Sequence, residues 1–261
     1  MIFLRKLQAL LATAFALTTT YRAEMVLWAL SGSMPIILMG VWSEAAEGSN
    51  LGYTPTQMVR YFVAVLVIRQ LTFVWVIWDF EEAVVRGRLS HYLLRPVDPI
   101  WQYLSDHLAE RLARFPMVLL LVGLCFWLYP GSAFFPNWEV LAQSIILIGG
   151  TFATRFTLQY TLAMVCFFNE RASSLESLSF ITYTFLSGML APLDLYPDIV
   201  QRIAYFTPFP YLIYTPARVL IGEAVDVGRA LTVLAAWTFG VLVVQRWAWR
   251  RGLTHYSAMG A

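Results

Sequence analysis

Lysine is nearly absent from this chain: Lys6 is the one lysine among 18 basic residues. A phosphate-binding P-loop needs a glycine-rich loop followed by a lysine, and no glycine precedes Lys6. The chain therefore cannot hydrolyse ATP by the P-loop mechanism. Zinc-like histidine spacing and the G-x-S-x-G and H-E-x-x-H motifs are also absent. A membrane enzyme built around His91 and Asp98 or Asp106 stays open as a minor alternative.

Charge is sparse as well. Only 13% of the residues are charged and 59% are hydrophobic, whereas roughly 25% are charged in soluble domains. Because a membrane-spanning helix needs about 20 mostly apolar residues, we predict an all-α polytopic membrane protein with six spans in one domain, 1–261. The spans lie near Met25–Trp42, Met58–Trp78, Phe115–Tyr129, Val140–Phe168, Leu175–Leu190 and Ala230–Trp249.

The distribution of basic residues predicts the orientation. Twelve Lys or Arg residues fall in segments 1–24, 79–114, 166–175 and 246–261, and two fall in segments 43–57, 131–138 and 193–228. Basic residues are retained on the cytoplasmic side. We therefore expect both termini and segment 79–114 in the cytoplasm.

The N-terminal segment 1–24 has two interpretations. Arg5 and Lys6 before an apolar run are typical of a signal peptide. Alternatively, apolar residues at helical spacing predict an amphipathic helix in the inner interface; they are Phe3, Leu4, Leu7, Leu10, Leu11, Ala14 and Phe15. We favour the interfacial helix, because cleavage or a seventh span would invert the charge bias.

Segment 79–114 is the longest charged interruption of the chain. Asp79–Val85 is expected to extend the second span as a helix, with Glu82 and Arg86 spaced i,i+4 and Gly87 ending it. Pro96 and Pro99 forbid a regular helix between them, and Ile100–Arg114 resumes as an amphipathic helix feeding the third span. From the residues alone, contact with anionic lipid and docking of another protein are equally compatible with this pattern.

Two arginines fall near the middle of predicted spans: Arg69 in the second and Arg155 in the fourth, with Gln159 one turn further on. Ionisable groups at membrane depth usually face the bundle interior or a wet cavity. We predict no acidic residue at their depth. The three residues are therefore a candidate substrate pathway, in which the arginines meet an anionic headgroup or pair across a subunit interface.

Segment 191–228 contains five of the twelve prolines and yet is strongly apolar. Proline at this density forbids one straight helix, so we expect short helices that re-enter the outer leaflet. An outer gate and a structural cap over the bundle are both compatible with this pattern. The candidate gate residues are Gly188, Pro192, Pro197 and Pro208.

Three stretches carry a family resemblance. Gly87–Pro96 (GRLSHYLLRP) resembles the G-x-L-x-x-Y-L-L-R-P signature of permease subunits of type-2 ATP-binding-cassette (ABC) transporters, in their six-span branch. The stretch from Ser187 to Tyr211 and the ending Trp249–Ala261 resemble the same family's later segments. With the predicted interfacial helix at the N-terminus, the resemblance extends over essentially the whole chain.

The resemblance implies that segment 79–114 is a coupling helix docked on a separate ATPase. By this resemblance, the residues expected to couple this chain to the ATPase are Glu82, Arg86, Arg88, Leu93, Arg95 and Pro96. It also implies an exporter of the bacterial inner (cytoplasmic) membrane with two ATPase copies and a second permease, homologous or identical. ATP and magnesium would be bound by the ATPase and no cofactor by this chain. Membrane lipid is an expected partner, and nucleic acid is not.

Two other classes of function remain. A self-contained, ion-coupled carrier or channel tends to show internal repeats and interrupted helices, and no convincing repeat relates the two halves here. A lipid-modifying membrane enzyme is disfavoured by the missing catalytic cluster. Substrate identity is beyond the sequence.

Overall fold

The computed structural model describes residues 2–20, 27, 30, 32–48, 51–169 and 172–256, which form helices and no strand. The all-α prediction is confirmed for this part of the chain. Its α-helices are α1 (Ile2–Thr20), α2 (Met34–Ala46), α3 (Pro55–Thr72), α4 (Val76–Val85), α5 (Leu89–Leu93), α6 (Pro99–Leu128), α7 (Trp138–Ala163), α8 (Ser173–Leu186), α9 (Asp198–Tyr205), α10 (Tyr214–Leu220) and α11 (Val227–His255). Arg22, Arg171, most of the first predicted span before Gly32, and the last five residues of the C-terminal motif lie outside the described residues.

Four helical stretches are long and apolar enough to cross a membrane: Pro55–Val85, Pro99–Leu128, Trp138–Phe167 and Val227–His255. They correspond to the second, third, fourth and sixth predicted spans. The end of the first predicted span forms α2, a shorter apolar helix, and the fifth corresponds to α8, which has 14 residues. The six-span count therefore stays a prediction.

Local sequence sets where the long helices begin. Thr54 and Gln57 form a reciprocal capping box ahead of α3, and Pro55 occupies its first turn. The Asp98 carboxylate accepts a hydrogen bond from the Ile100 N–H at the start of α6. Asn137 and Asp226 cap α7 and α11 in the same way. Each cap satisfies a backbone donor that the first turn leaves free.

The second predicted span is interrupted, so the expectation of one continuous helix up to Val85 is wrong. Residues 73–75 leave helical geometry between α3 and α4. The Trp75 N–H donates to Nε2 of His107 on α6, over 3.2 Å, instead of to a carbonyl of the preceding turn. Val74 is fully buried. A broken helix is tolerated at membrane depth where other protein groups cover it and satisfy the backbone.

The core divides into two clusters, one toward each end of the bundle. One is built on α3 and packs against α2 and α10; the other is centred on Phe80 of α4 and packs against α6, α7 and α11. We call the end that carries α5 the α5 end. There, Arg246 of α11 pairs with Asp98 at 2.6 Å. The opposite end carries residues 47–48, 51–54, 129–137 and 187–226.

Candidate functional site

The charged turn after α4 has the geometry that its sequence predicts. Glu82 pairs with Arg86 one turn later at 2.8 Å and with Arg88 at 2.8 Å. Gly87 has a positive φ of 70°, which residues with a Cβ rarely adopt. The pairs are largely exposed, so they orient the turn more than they stabilise it.

The α5 helix and the turn that follows it present arginine and leucine side chains outward. Leu89 is fully buried, whereas Leu94 is 86% exposed. Arg95 stacks on the Tyr92 ring at 5.2 Å and donates to Gln102. We define the docking surface as the exposed Arg86, Arg88, Leu93, Leu94, Arg95 and Pro96. It includes five of the six predicted coupling residues, and the sixth, Glu82, pairs with two of its arginines.

The other face of α4 is fixed in the core. The Phe80 ring is buried and contacts Tyr103, Tyr160, Phe167 and Trp249, with ring centroids 5.4 to 6.3 Å apart. These four rings come from α6, α7, the turn after α7, and α11. Because packed cores shift as discrete units, a displacement of α4 is transmitted to all three long helices.

A further contact joins α4 to α8. The Glu81 carboxylate accepts hydrogen bonds from the Ser173 N–H, at 2.7 Å, and from the Ser173 hydroxyl, at 3.3 Å. A carboxylate at a helix N-terminus is favourable because free N–H groups and the helix dipole meet it there. Sequence reasoning missed Glu81: the two residues are 92 positions apart, and Asp79 and Glu82 nearby have the same chemistry.

Beyond this contact, α8 faces the predicted substrate pathway. Arg155 of α7 donates to the Tyr183 hydroxyl at 2.6 Å, and the Gln159 amide donates to Glu176 at 2.7 Å. Arg155, Gln159 and Glu176 line one cavity of about 30 Å³. The prediction that no acidic residue lies at this depth is therefore wrong for Arg155, because α8 starts deep enough to place Glu176 beside it.

The cavity retains polar atoms without a protein partner. Within the described chain, Oε1 of Gln159 and Oε2 of Glu176 are buried and accept no hydrogen bond. Buried polar atoms of this kind usually bind water or a ligand. Phe209 and Leu212, from the segment after α8, close the cavity toward the opposite end.

Arg69, the third predicted pathway residue, contacts the same aromatic ring of the helix break as Arg155. The Arg69 and Arg155 guanidinium groups lie 5.6 and 5.7 Å from the centre of the Phe73 ring. On the other side of the break, Arg114 lies 4.7 Å from the Trp75 ring and pairs with Glu110. The break is therefore held between arginines of three helices, an arrangement that sequence reasoning missed.

The predicted gate residues do not form one site. Gly188 has φ +85°, and its carbonyl accepts a hydrogen bond from the Tyr61 hydroxyl at 2.7 Å. Pro192 and Pro208 are buried, and Pro208 directly precedes Phe209 of the cavity; Pro197 is exposed ahead of α9.

Two further hydrogen bonds hold the start of the segment between α8 and α11. The Trp42 indole donates to the Leu190 carbonyl at 2.8 Å, and the Tyr53 hydroxyl donates to Asp194 at 2.7 Å. Burial and the Asp194 carboxylate raise the pKa of Tyr53. The phenol therefore stays protonated and keeps donating throughout the neutral pH range. The segment between α8 and α11 is thus tied to α2, to α3 and to the loop between them.

Membrane-length helices, an exposed charged turn and a buried polar cavity that contains Arg155 are features compatible with a membrane transport protein. The model of the family described as "ABC-2 family transporter protein" matches residues 36–260, and the chain belongs to this family. It is a membrane protein of the permease class, and membership implies an ABC ATPase as its partner. No curated protein matches the sequence.

Proposed function

We propose that this chain forms the translocation pathway of an ATP-driven ABC exporter and is powered by a separate ATPase. The observation that carries the proposal is the pair of hydrogen bonds that Ser173 donates to the Glu81 carboxylate. They join α4, which leads directly into the docking surface, to α8, which lines the Arg155 cavity. In this scheme the ATPase binds ATP and magnesium, and this chain contributes no cofactor.

The contacts support a route for the conformational change. The ATPase engages the docking surface, and α4 moves together with the rings packed around Phe80. Glu81 carries the shift to the start of α8, where Glu176 and Tyr183 hold Gln159 and Arg155. Phe209 links the same cavity to the segment that carries Gly188 and Pro208, which serves as the outer gate.

The proposed assembly has two ATPase copies and a second permease, homologous or identical, in the bacterial inner membrane. The arginine distribution supports cytoplasmic termini and a cytoplasmic docking surface. α2 and α8 would complete the six spans.

The coupling role is tested by charge reversal on the docking surface. We expect Arg88→Glu combined with Arg95→Glu to reduce co-purification of the ATPase about tenfold, because like charges across an interface oppose binding. Arg250→Glu combined with Arg251→Glu is the matched control: it reverses two charges in the last turns of α11, outside segment 79–114. Normal assembly and normal permease-dependent ATP hydrolysis in the Arg88/Arg95 variant would refute the coupling assignment.

The pathway role has its own test. Arg155→Gln and Arg69→Gln should each lower permease-dependent ATP hydrolysis in the reconstituted complex, while ATPase co-purification stays normal. Arg60→Gln is the control, because Arg60 also lies on α3 but bonds to the carbonyls of Ser132 and Ala133 at the opposite end. Wild-type turnover in both pathway variants would remove these arginines from the mechanism.

A further inference from the structure

A second, larger cavity lies at the opposite end of the bundle. It has a volume of about 570 Å³ and is formed by α9, by the stretch from Tyr211 to Arg218, and by the start of α11. Ligand pockets commonly measure about 300–1,000 Å³. Three arginines line it: Arg202, Arg218 and Arg229. Neither the coupling route nor the Arg155 cavity uses these residues.

Two of the three arginines have no acidic partner. Arg218 is neutralised by Glu223 and also donates to the Tyr214 hydroxyl at 3.1 Å. Among the described residues, no carboxylate lies within 4 Å of the Arg202 or Arg229 guanidinium. Asp226, the acidic residue of the lining, accepts a hydrogen bond from the Arg229 backbone N–H. The cavity therefore presents two unpaired guanidinium groups.

Aromatic and aliphatic side chains surround these cations. Tyr205, Phe206 and Tyr211 contribute to the lining, and Phe206 is 84% exposed. Ile199 and Ile203, which are 67% and 54% exposed, lie on the same helix as Arg202. A helix with arginine beside exposed isoleucines fits the boundary between headgroups and acyl chains. The cations are thus placed where headgroups lie, with apolar surface directly adjacent.

We propose that this cavity binds the phosphate-bearing headgroup of an anionic lipid, held by Arg202 and Arg229. Guanidinium groups bind phosphate oxygens through paired, charge-assisted hydrogen bonds. The exposed rings and isoleucines receive the glycerol and the first part of the acyl chains. The site stands independently of ATP-driven export; only its assignment to the outer leaflet rests on the proposed orientation.

The test uses the purified full chain without an ATPase, so that its failure is separate from failure of the transport proposal. A photoactivatable phosphatidylglycerol is crosslinked to the protein in detergent, and the labelled peptides are mapped by mass spectrometry. We expect labelling in residues 198–230 and about tenfold weaker binding for each of Arg202→Gln and Arg229→Gln. The single variant Arg250→Gln removes the same charge at the α5 end and should leave labelling of 198–230 unchanged.

Two competitors identify the ligand chemistry. Dioctanoyl phosphatidylglycerol should displace the probe, whereas glycerol phosphate, which lacks acyl chains, and dioctanoylglycerol, which lacks phosphate, should not. Equal competition by glycerol phosphate would overturn the lipid source, and equal competition by dioctanoylglycerol would overturn phosphate recognition. Unchanged labelling in both Arg202→Gln and Arg229→Gln would overturn the site itself. The variants lie at exposed positions, and circular dichroism verifies that they fold.

Discussion

Two membrane-length stretches of this protein are equally apolar and packed in opposite ways. Pro55–Val85 and Val227–His255 have the same mean hydropathy, 1.8 over their most apolar window, yet 72% of that window is buried in the first and 11% in the second. The first is broken at residues 73–75 and the second is continuous. Hydropathy therefore identifies both as spans and says nothing about which one is central.

The difference in burial corresponds to where the protein has its polar and irregular features. The central stretch carries Arg69, the break and Glu81, and neighbouring helices cover them. α11 offers apolar side chains outward over most of its length and joins the core near both ends, where Ala230 and Leu234 are buried and Trp249 packs on Phe167. A polar or irregular feature on the exposed helix would meet hydrocarbon. Burial is thus the condition that lets the central stretch be irregular.

The largest loss of stability is expected on substitution of Gly188, which contacts the central helix. A Cβ there would lie 2.7 Å from the Tyr61 hydroxyl and 2.8 Å from Cβ of Tyr214, in a backbone conformation that disfavours side chains. Strain and overpacking together should make Gly188→Ala destabilising by about 3 kcal/mol. Thermal unfolding in detergent measures the loss.

Gly240→Ala is the matched control on the peripheral helix. A Cβ at Gly240 meets nothing within 4 Å, and alanine is the better helix former, so stability should hold or rise slightly. A loss as large as that of Gly188→Ala would show that α11 is covered in the purified protein, and the contrast between the two helices would fail.

The next largest loss of stability is expected at the helix break. His107→Ala removes a buried side chain together with the acceptor for the Trp75 N–H, which should cost about 2 kcal/mol. His91→Ala is the control, because His91 is exposed on α5 and surface changes usually stay within about 0.5 kcal/mol. Equal unfolding temperatures for the two variants would mean that another group or water satisfies Trp75.

The features that were predictable from sequence depend on neighbours along the chain. Gly87 ends its helix, Glu82 pairs with Arg86, and no helix runs between Pro96 and Pro99, because each follows from spacing of a few residues. The four long spans follow from composition. The family was also accessible, since its signatures are short contiguous strings such as Gly87–Pro96.

What sequence reasoning missed depends on partners far along the chain. The break requires His107 to come within reach of Trp75, 32 positions away. Glu176 enters the Arg155 cavity because α8 packs beside α7, and Glu81 finds Ser173 for a similar reason. Local propensity carries no information about such contacts. Single-sequence reasoning identified the candidate pathway arginines, but it could not identify the side chains that contact them.

A smaller effect on stability is expected at the contact between α4 and α8. Glu81→Ala removes the cap of α8 and should cost about 1 kcal/mol, while permease-dependent ATP hydrolysis falls and ATPase co-purification stays normal. Glu81→Gln keeps an acceptor oxygen and should recover part of both. Glu82→Ala, one residue further on, should instead weaken co-purification. Wild-type permease-dependent ATP hydrolysis in Glu81→Ala would show that the contact between α4 and α8 does not transmit the conformational change to the pathway.

The last prediction tests the comparison of the two helices directly, using one side chain in both places. Val65 on α3 is fully buried, and Val243 on α11 is 56% exposed. Val65→Ala leaves a cavity among packed side chains and should cost about 1–2 kcal/mol. Val243→Ala exchanges contact with lipid or detergent for a similar contact and should change stability by less than about 0.5 kcal/mol. Both are measured by unfolding in the same detergent, and a larger loss at Val243 would place a protein neighbour against α11.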